Sequence, residues 1–307
     1  MKAQSTDAVT KVSPFLPEND DHYRWWRDYK LEDYPTRLSD LIVELNDPRD
    51  MTEAEYDALH RRCKKANMAL YIGQTGTDPD PEIPLSVGRR FGVQGLNKNW
   101  LADDSGLTSL TVVNEGVRRN YIPYTNRAIK WHTDGYYNIA SKQIHSLLLH
   151  CAQSSASGGE NALLDHEIAY IMLREENPDY IRALMAPDVM TIPARIEQGK
   201  IARQEESGPV FSITEAGDLH MRYTLREHNV VWTRDPVATE ALEFLQQLLD
   251  SDMPYIVRGR LEPGMGLVSN NVLHDRAAFV DDDEHKRHYY RARYFDRLAN
   301  TGVLSKD

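Results

Sequence analysis

Short apolar runs, bounded by glycine, proline and polar turn residues, recur along the chain and predict β-strands. Runs of this kind lie at 41–45, 68–73, 144–151, 161–164, 209–214, 219–226, 264–269 and 288–295. The runs at 209–214 and 219–226 are joined by a turn at Ala216-Gly217-Asp218. The pattern therefore predicts a chain in which β-structure forms the centre.

Helix-start signals separate these runs. Thr52 and Glu55 form a capping box for a helix that runs towards Lys65. Further helices are predicted at 85–91, from Asp165 to Glu176, from Asn177-Pro178, and from Asp235-Pro236, whose Leu242, Leu245, Leu248 and Leu249 share one face. The order of elements predicts a mainly β protein with helices on its outside.

The first 40 residues carry aromatic and charged side chains in irregular order, and Pro14, Pro17 and Pro35 interrupt any long helix. We therefore predict an N-terminal arm, residues 1–40, that packs on the main body of the protein. Residues 41–307 are expected to form one domain, since a chain of 307 residues can build a single all-β or barrel-like unit.

Composition narrows the class of partner. With 41% hydrophobic and 27% charged residues, the chain is typical of a soluble globular protein, and no apolar run approaches the ~18 residues that span a bilayer. A net charge of -11 argues against binding to nucleic acid or to an anionic membrane. The absence of a secretory signal pattern predicts a cytoplasmic location. We expect a small-molecule partner and self-association into a homo-oligomer.

The stretch Trp131-His132-Thr133-Asp134-Gly135 indicates half of a metal site. Alternate side chains of an extended backbone point the same way, so His132 and Asp134 can converge on one ion. A distant histidine, His274, would complete two nitrogens and one carboxylate, the facial set that binds iron(II) and leaves other positions open. Alone, the tripeptide His132-Thr133-Asp134 is more typical of a capped turn followed by a strand.

The segment from Ser269 to Phe279 supplies His274, and a basic strand follows it. On a strand from Arg287 to Arg293, alternation places three guanidinium groups on one face, those of Arg287, Arg291 and Arg293. If that face is interior, each cation needs an anion, because an unpaired buried charge is costly. The alternative is an exposed edge strand with solvated arginines.

Three blocks of sequence resemble the taurine/2,4-D dioxygenase (TauD/TfdA) family of iron(II)- and 2-oxoglutarate-dependent oxygenases. They are Trp131-His132-Thr133-Asp134; residues 148–151 with Gly158-Gly159-Glu160-Asn161; and residues 271–279 with Arg287 and Arg291. The order and separation of the blocks match the family too, and the resemblance covers roughly residues 40–298. It implies a double-stranded β-helix, the cupin-like jelly roll, with helices packed outside.

The resemblance also implies roles for individual residues. His132, Asp134 and His274 correspond to the iron(II) ligands, with 2-oxoglutarate and dioxygen as cosubstrates. Arg287 matches the arginine that pairs with the distal carboxylate of 2-oxoglutarate, a task that suits a bidentate guanidinium. Asn161 stands where several relatives have threonine as a second contact to that carboxylate. Arg291 matches an arginine that in relatives lies near the metal-side carboxylate or an anionic substrate group.

The predicted activity couples oxidative decarboxylation of 2-oxoglutarate to hydroxylation, or a related C–H oxidation, of a small metabolite. Gamma-butyrobetaine hydroxylase is similar in the glycine pair and the closing motif, but it carries an N-terminal cysteine-rich zinc module, and here that region has no cysteines. Two alternatives are a zinc-dependent hydrolase or isomerase using the same three residues, and a jelly-roll binding protein without turnover. Arg287 and the glycine pair argue against both.

Substrate contacts are predicted next to the metal motif and on the strand at 219–226. Tyr136, Tyr137 and Asn138 follow the motif directly, so at least one should point across the metal towards the substrate. Arg226 would share a face with His220, Arg222 and Thr224 by alternation and make the pocket locally cationic. We therefore expect a small polar substrate with a carboxylate or another anionic group. His285 and His288 lie outside the closing motif, and we expect surface or structural roles for them.

Overall fold

Two β-sheets with a shared hydrophobic core form the centre of the computed structural model, which describes residues 13–98, 106–197, 200–226 and 230–303. The strands are β1 (Ile42–Leu45), β2 (Met68–Gly73), β3 (Thr108–Leu110), β4 (Ile129–His132), β5 (Ser146–Gln153), β6 (Ser157–Gly158), β7 (Asn161–Leu164), β8 (Met190–Ile192), β9 (Arg195–Glu197), β10 (Lys200–Arg203), β11 (Glu206–Gly208), β12 (Phe211–Ile213), β13 (Leu219–Met221), β14 (Val231–Trp232), β15 (Val257–Gly259), β16 (Met265–Ser269), β17 (Leu273–Arg276), β18 (Phe279–Val280) and β19 (His288–Tyr294). The helices are α1 (Asp20–Leu31), α2 (Leu38–Leu41), α3 (Glu53–Ala66), α4 (Glu82–Arg90), α5 (His166–Glu176), α6 (Pro178–Leu184) and α7 (Pro236–Leu249).

The larger sheet has the order β1-β2-β16-β5-β19-β3, and the smaller one has the order β15-β7-β17-β4. Only the β1–β2 pair is parallel within these two sheets; their other pairs in the described part of the chain are antiparallel. From β3 onwards, strands of these two sheets that follow one another in the chain mostly alternate between the sheets, as in a jelly roll. The predicted β-rich centre with outer helices is therefore confirmed.

The period of two along the central strands separates an inner core from an outer one. On β5, Leu147 and Leu149 face the inner core, whereas Leu148 joins the outer core with Val268 and Ala292. The outer core also contains Leu59 and Cys63 of α3 and Val87 of α4. Helices α3 and α4 thus cover one face of the larger sheet, and the other face lines the interior of the jelly roll.

Four of the predicted helix starts agree with the structure, whereas the helix predicted at 85–91 begins earlier, at Glu82. The Thr52 side chain accepts a hydrogen bond from the Glu55 N–H, and the reciprocal bond of the capping box is present. Asp165, Asn177 and Asp235 likewise cap the helices that follow them. Helix α3 ends at Asn67, whose backbone is left-handed with φ 55°.

The predicted strand at 219–226 is wrong beyond Met221, because the chain changes its pairing partner there. Residues 219–221 pair with β12. Further on, the Thr133 N–H donates to the Tyr223 carbonyl, and the Tyr223 N–H donates to the Thr133 hydroxyl. The Leu225 N–H donates to the carbonyl of Trp131. The second half of the segment therefore extends the sheet edge beside β4, and it carries no single continuous face from 220 to 226.

The segment before β1 packs against the domain through buried aromatic residues. Phe15, Tyr23 and Trp26 belong to the inner core cluster, and the buried Arg174 of α5 donates to backbone carbonyls of residues 14, 16 and 17. We keep the division into an arm, 1–40, and a domain, 41–307, as a proposal; residues 1–12 of the arm lie outside the described part. No helix in the described residues is long and apolar enough to cross a membrane.

Candidate metal centre and active site

Two neighbouring strands of the smaller sheet bring the predicted ligands together. His132 at the end of β4 is the direct partner of His274 on β17, and their ring centroids are 4.3 Å apart. Asp134 follows two residues after His132, and Nε2 of His132 lies 4.0 Å from its Oδ1. One potential ligand atom from each of the three residues lies within 4.8 Å of the others. This is the one such group of His, Cys, Asp or Glu among the described residues.

Backbone carbonyls orient both imidazole rings. Nδ1 of His132 lies 2.9 Å from the carbonyl oxygen of Lys130, and Nδ1 of His274 lies 2.9 Å from that of Val272. A proton on each Nδ1 donates to its carbonyl, so each Nε2 keeps its lone pair for a metal ion. Burial, aided by the nearby His274, lowers the pKa of His132 to about 3, which favours the neutral imidazole that metal binding requires.

Asp134 is held by its backbone and by two arginines. The Asn271 side chain accepts from the Asp134 N–H at 2.8 Å and donates to the Asp134 carbonyl at 2.9 Å. Nη1 of Arg291 lies 3.3 Å from Oδ1 of Asp134, and Nη1 of Arg293 lies 4.0 Å from the same oxygen. Burial opposes ionisation of this carboxyl, but the two guanidinium groups outweigh it and hold its pKa below the ordinary range.

The geometry of His132, Asp134 and His274 fits an iron(II) ion. Oδ2 of Asp134 is buried and has no hydrogen-bond partner within the described chain, as expected for an oxygen that accepts a metal. Two neutral imidazoles and one carboxylate on one side match the facial donor set of non-haem iron(II). Zinc would accept the same donors, so the donor set alone does not separate the two metals.

Strand β19 confirms the predicted alternation of arginines. It lies between β5 and β3, so the alternative of an exposed edge strand is wrong. Arg287, just before β19, is 4% exposed, and its guanidinium lies over the ring of Tyr289 at 3.7 Å from the centroid. Burial lowers the pKa of Arg287. Within the described part of the chain, its Nε has no hydrogen-bond partner, which leaves a buried cation able to accept an anion.

A second buried arginine, Arg276 on β17, lies beside Arg287 and had no role in the sequence prediction. The two guanidinium groups lie 4.9 and 5.2 Å from the ring centroid of Phe279. Arg276 donates to the backbone carbonyls of Thr125 and Arg127, so it fixes the segment that leads into β4. Burial and the neighbouring Arg287 lower its pKa to about 9.

The glycine pair joins the second and third sequence blocks in space. At Gly158 φ is 72°, and a side chain there would collide with the backbone carbonyl of Ala278. This close approach pairs β6 with β18. On the adjacent β7, Nδ2 of Asn161 donates to the Asp275 carbonyl at 2.5 Å. Part of its donor capacity is therefore used by the backbone, and its role towards 2-oxoglutarate stays a prediction.

The predicted substrate residues occupy different environments. Tyr136 is buried, and its carbonyl accepts from Nε of Arg222. Asn138 donates to the Lys142 carbonyl and closes a turn. Arg226 is half-buried, and its backbone N–H donates to the Thr224 hydroxyl. Arg222 donates to backbone carbonyls, and the His220 ring lies 4.7 Å from that of His145, tilted by 49°. The predicted cationic face therefore does not form as one row.

Tyr137 lines a cavity of about 390 Å³ that the sequence did not reveal. Its hydroxyl accepts from Nη1 of Arg293 at 2.9 Å. Other lining residues are Asn97, Tyr121, Asn138, Lys142, Arg195 and Arg203. Arg195 and Arg203 come from the β9–β10 hairpin, which carries no recognisable motif, so no signal in the sequence pointed to them.

Three other histidines in the described part of the chain, His150, His285 and His288, bond to groups outside the predicted metal site. His285 is exposed and bonds to Asp282, and His288 bonds to the Ser109 hydroxyl. His150 bonds to the hydroxyl of Tyr71 in the protein interior. These contacts agree with surface or structural roles.

Comparisons with known proteins identify the family. Residues 33–293 match the model of the taurine catabolism dioxygenase TauD, TfdA family. The chain is 32% identical over 273 residues to a uridine-5'-phosphate dioxygenase of Amycolatopsis sp, across 84% of this chain and 97% of that protein. The chain therefore belongs to the TauD/TfdA family.

Solved structures show the same fold. An asparagine oxygenase in complex with Fe(II), 2S,3S-3-hydroxyasparagine and succinate has a TM-score of 0.58 at 15% identity, over 99% of this chain and 98% of that one. The non-haem iron oxygenase OrfP, in complex with Fe and alpha-ketoglutaric acid, has a TM-score of 0.58 at 17% identity, over 100% and 98% of the two chains. The jelly-roll prediction is confirmed.

The family defines the chemistry. The protein is a non-haem iron(II) oxygenase that uses 2-oxoglutarate and dioxygen to hydroxylate a small metabolite. This sets aside the hydrolase and the binding-protein alternatives. The predicted enzyme class and cosubstrates are confirmed.

Proposed function

We propose that Nε2 of His132, a carboxylate oxygen of Asp134 and Nε2 of His274 hold the iron(II). The observation that carries this proposal is the convergence of three buried ligand atoms within 4.8 Å of one another. Bound there, iron(II) would supply the chemistry that divides dioxygen between 2-oxoglutarate, which becomes succinate and carbon dioxide, and the substrate carbon, which is hydroxylated. The chain's own part is to orient the imidazoles, keep the carboxylate ionised and position the cosubstrates.

Arg287 is our proposed partner for the distal carboxylate of 2-oxoglutarate, because its buried Nε has no partner among the described residues. Asn161 on β7 and Arg291 on β19 are the proposed additional contacts to the cosubstrate. Arg291 already lies 3.3 Å from Asp134, so an anion bound to it would rest beside the metal. A guanidinium in this place lowers the cost of gathering carboxylates around one buried site.

For the substrate we propose a nucleoside 5'-phosphate, with uridine 5'-phosphate as the first compound to test. Identity of 32% across nearly the whole of a uridine-5'-phosphate dioxygenase supports this class. The cavity beside Tyr137 supports it independently, since Lys142, Arg195 and Arg203 line it in a chain of net charge -11. Tyr136, Tyr137, Asn138 and Arg226 stay the proposed substrate contacts around this region.

A paired screen of anionic and neutral compounds tests the proposal. Uridine 5'-phosphate, uridine, other nucleoside 5'-phosphates, and matched acids with their amides or esters are incubated with enzyme, iron(II) and 2-oxoglutarate. Succinate, free phosphate and the oxidised product are measured together, because oxidation at a phosphate-bearing carbon would release phosphate. Turnover of uridine 5'-phosphate coupled to succinate supports the substrate class. Equal turnover of neutral and anionic partners would remove the case for an anionic substrate.

Location and assembly are further proposals. The two free cysteines, Cys63 and Cys151, are both buried, which agrees with a cytoplasmic protein.

Ile196 and Ile201 are cross-strand partners on the β9–β10 hairpin and are 67% and 57% exposed, which supports self-association into a homo-oligomer. Light scattering coupled to size-exclusion chromatography, with Ile196→Thr as the comparison, measures the oligomeric state.

A further inference from the structure

We infer that Arg195 and Arg203 of the β9–β10 hairpin bind the phosphate of the substrate. This inference rests on the proposed function and deepens it, because it assigns the anionic end of the substrate to two named residues outside the family's metal and 2-oxoglutarate motifs. The hairpin would then act as the specificity element that selects a phosphorylated substrate over its neutral nucleoside.

The first support is the register of the hairpin. Arg203 of β10 is the cross-strand partner of Arg195 of β9, and a shift of register between Ile201 and Arg203 puts this pair on the face opposite to the Ile196–Ile201 pair. Ile196 and Ile201 form the pair on the other face, which is exposed. Two arginines directly opposite each other repel, and an anion shared by both removes that repulsion.

The second support is how the two guanidinium groups are held. Nη2 of Arg203 donates to the Pro193 carbonyl at 2.9 Å, while its Nε is buried without a hydrogen-bond partner among the described residues. Burial lowers the pKa of Arg203. Nη2 of Arg195 donates to the Tyr121 hydroxyl at 2.6 Å. Arg203 is thus partly desolvated with spare donor capacity, unlike a solvated surface arginine.

The third support is the composition of the cavity that the two arginines line. Its volume is about 390 Å³, within the range of small-ligand sites. The lining residues in the described part of the chain include Lys142 and no Asp or Glu. Tyr121 and Tyr137 add aromatic faces, and the guanidinium groups of Arg195 and Arg203 lie 4.9 and 5.7 Å from those rings. Aromatic rings beside cations suit a planar base joined to a phosphate.

The cavity is also connected to the metal centre. Tyr137 and Asn97 line it, and both accept hydrogen bonds from Arg293 at 2.9 Å. The Nη1 of Arg293 that binds Tyr137 lies 4.0 Å from Oδ1 of Asp134. One guanidinium group therefore bridges the cavity wall and a proposed iron ligand. The proposed phosphate site and the metal centre are therefore linked through Arg293.

The experiment measures binding of uridine 5'-phosphate, uridine and inorganic phosphate to the anaerobic enzyme loaded with iron(II) and 2-oxoglutarate. The visible charge-transfer band of that complex reports occupation of the substrate site, and steady-state kinetics provide KM and kcat. The variants are Arg203→Met and Arg195→Met, with Arg203→Lys as the conservative variant. Arg182→Met, which changes an exposed arginine on α6, is the matched control.

We expect both methionine variants to lower the affinity for uridine 5'-phosphate at least tenfold, the usual scale for losing a charge-assisted hydrogen bond. The affinity for uridine should change less than threefold. The KM for 2-oxoglutarate and the charge-transfer band without substrate should stay as in the wild type. Arg203→Lys should recover part of the affinity, and the Arg182→Met control should match the wild type. Inorganic phosphate should compete with uridine 5'-phosphate in the wild type and lose this effect in Arg203→Met.

Three results would overturn the inference. Unchanged affinity for uridine 5'-phosphate in both methionine variants would remove the arginines from the site. An equal loss for uridine and uridine 5'-phosphate would give them a role in shaping the cavity instead. If the wild type binds no nucleotide, the proposed substrate class is wrong. The phosphate-binding role is then tested on the anionic substrate that the screen finds. That role is wrong too if Arg203→Met does not bind this substrate more weakly, or if it loses the same affinity for the neutral analogue.

Discussion

His132 and His274 are direct cross-strand partners on β4 and β17, with ring centroids 4.3 Å apart, although they lie far apart in the sequence. The pairing of two antiparallel strands, and no local motif, sets the distance between the two nitrogens. A backbone carbonyl fixes each Nδ1, so the orientation of both rings is also built before any metal binds. The site is therefore preorganised by the sheet itself.

Replacing any of the three proposed ligands should abolish metal-dependent turnover. We expect His132→Ala, Asp134→Ala and His274→Ala to lose iron-dependent succinate formation and the charge-transfer band, because two ligands do not hold iron(II) in this facial arrangement. Circular dichroism should show that the fold persists. His285→Ala, which changes an exposed histidine, is the control and should keep full activity. If His285→Ala lost iron while His274→Ala still bound it, the third iron ligand would be His285 and not His274.

Arg287→Ala should weaken the binding of 2-oxoglutarate by roughly 2 to 5 kcal/mol, the range for truncating one partner of a buried charge pair. The reason is that Arg287 is buried and its Nε has no other partner among the described residues. The measurement is the KM for 2-oxoglutarate together with iron binding, which should not change. Arg182→Ala on the surface is the control. An unchanged KM would indicate that another arginine binds this carboxylate. The candidates are Arg291, Arg293 and Arg276, whose guanidinium lies over the same Phe279 ring as that of Arg287.

Most elements of the fold could be predicted from the sequence because their signals are local, as with the caps at Thr52 and Asp165, which marked helix starts that the structure contains. His132 and Asp134 were recognisable as a pair by their spacing, whereas His274 was assigned through the family resemblance, and β4 ends at His132, so Asp134 follows the strand. The prediction at 219–226 failed because the pairing partner changes after Met221, and pairing between distant segments leaves no local pattern.

The cavity wall was missed for a similar reason. Arg195 and Arg203 lie on a hairpin whose sequence contains no motif, and only the tertiary structure brings them beside Tyr137. Asn271 was part of the recognised closing block, but its function was not readable from its residue type. Its side chain holds the backbone of Asp134, and its φ of 51° depends on the turn between β16 and β17.

Asn271→Ala should lower both the stability of the protein and its affinity for iron(II). The change removes three buried hydrogen bonds, two to the Asp134 backbone and one to the Ile144 carbonyl, and places alanine in a left-handed conformation. We expect a loss of about 2 to 4 kcal/mol in the free energy of unfolding and 10- to 100-fold weaker iron binding. Chemical denaturation and anaerobic iron titration measure the two effects.

Asn271→Gly is the matched variant, because glycine tolerates the positive φ but lacks the side-chain hydrogen bonds. It should recover part of the stability lost in Asn271→Ala and none of the iron affinity. If Asn271→Gly binds iron as the wild type does, the side chain does not position Asp134, and its contribution is to the turn alone.

The last prediction concerns acid stability and a buried cluster at the junction of α1 and α5. Nζ of Lys30 lies 2.7 Å from Oδ2 of Asp165 and 2.5 Å from Oε2 of Glu167, and all three side chains are almost fully buried. Burial opposes ionisation of Glu167, but Lys30 outweighs it, and the pKa of Glu167 falls to about 2 from 4.5. The two carboxylates in turn raise the pKa of Lys30 against the effect of burial.

A depressed carboxyl pKa stabilises the fold above the pKa of the unfolded chain and loses this contribution as the pH falls through the folded value. The free energy of unfolding should therefore decline between about pH 5 and pH 2, and Glu167→Gln should make that decline shallower. The raised pKa of Lys30 contributes fully below about 10.5, so it adds no slope in this acid range. Urea denaturation from pH 7 to pH 2.5 measures the slope, with the exposed Glu176→Gln on the same helix as the control. If Glu167→Gln and Glu176→Gln give the same slope as the wild type, the ion cluster does not govern acid unfolding.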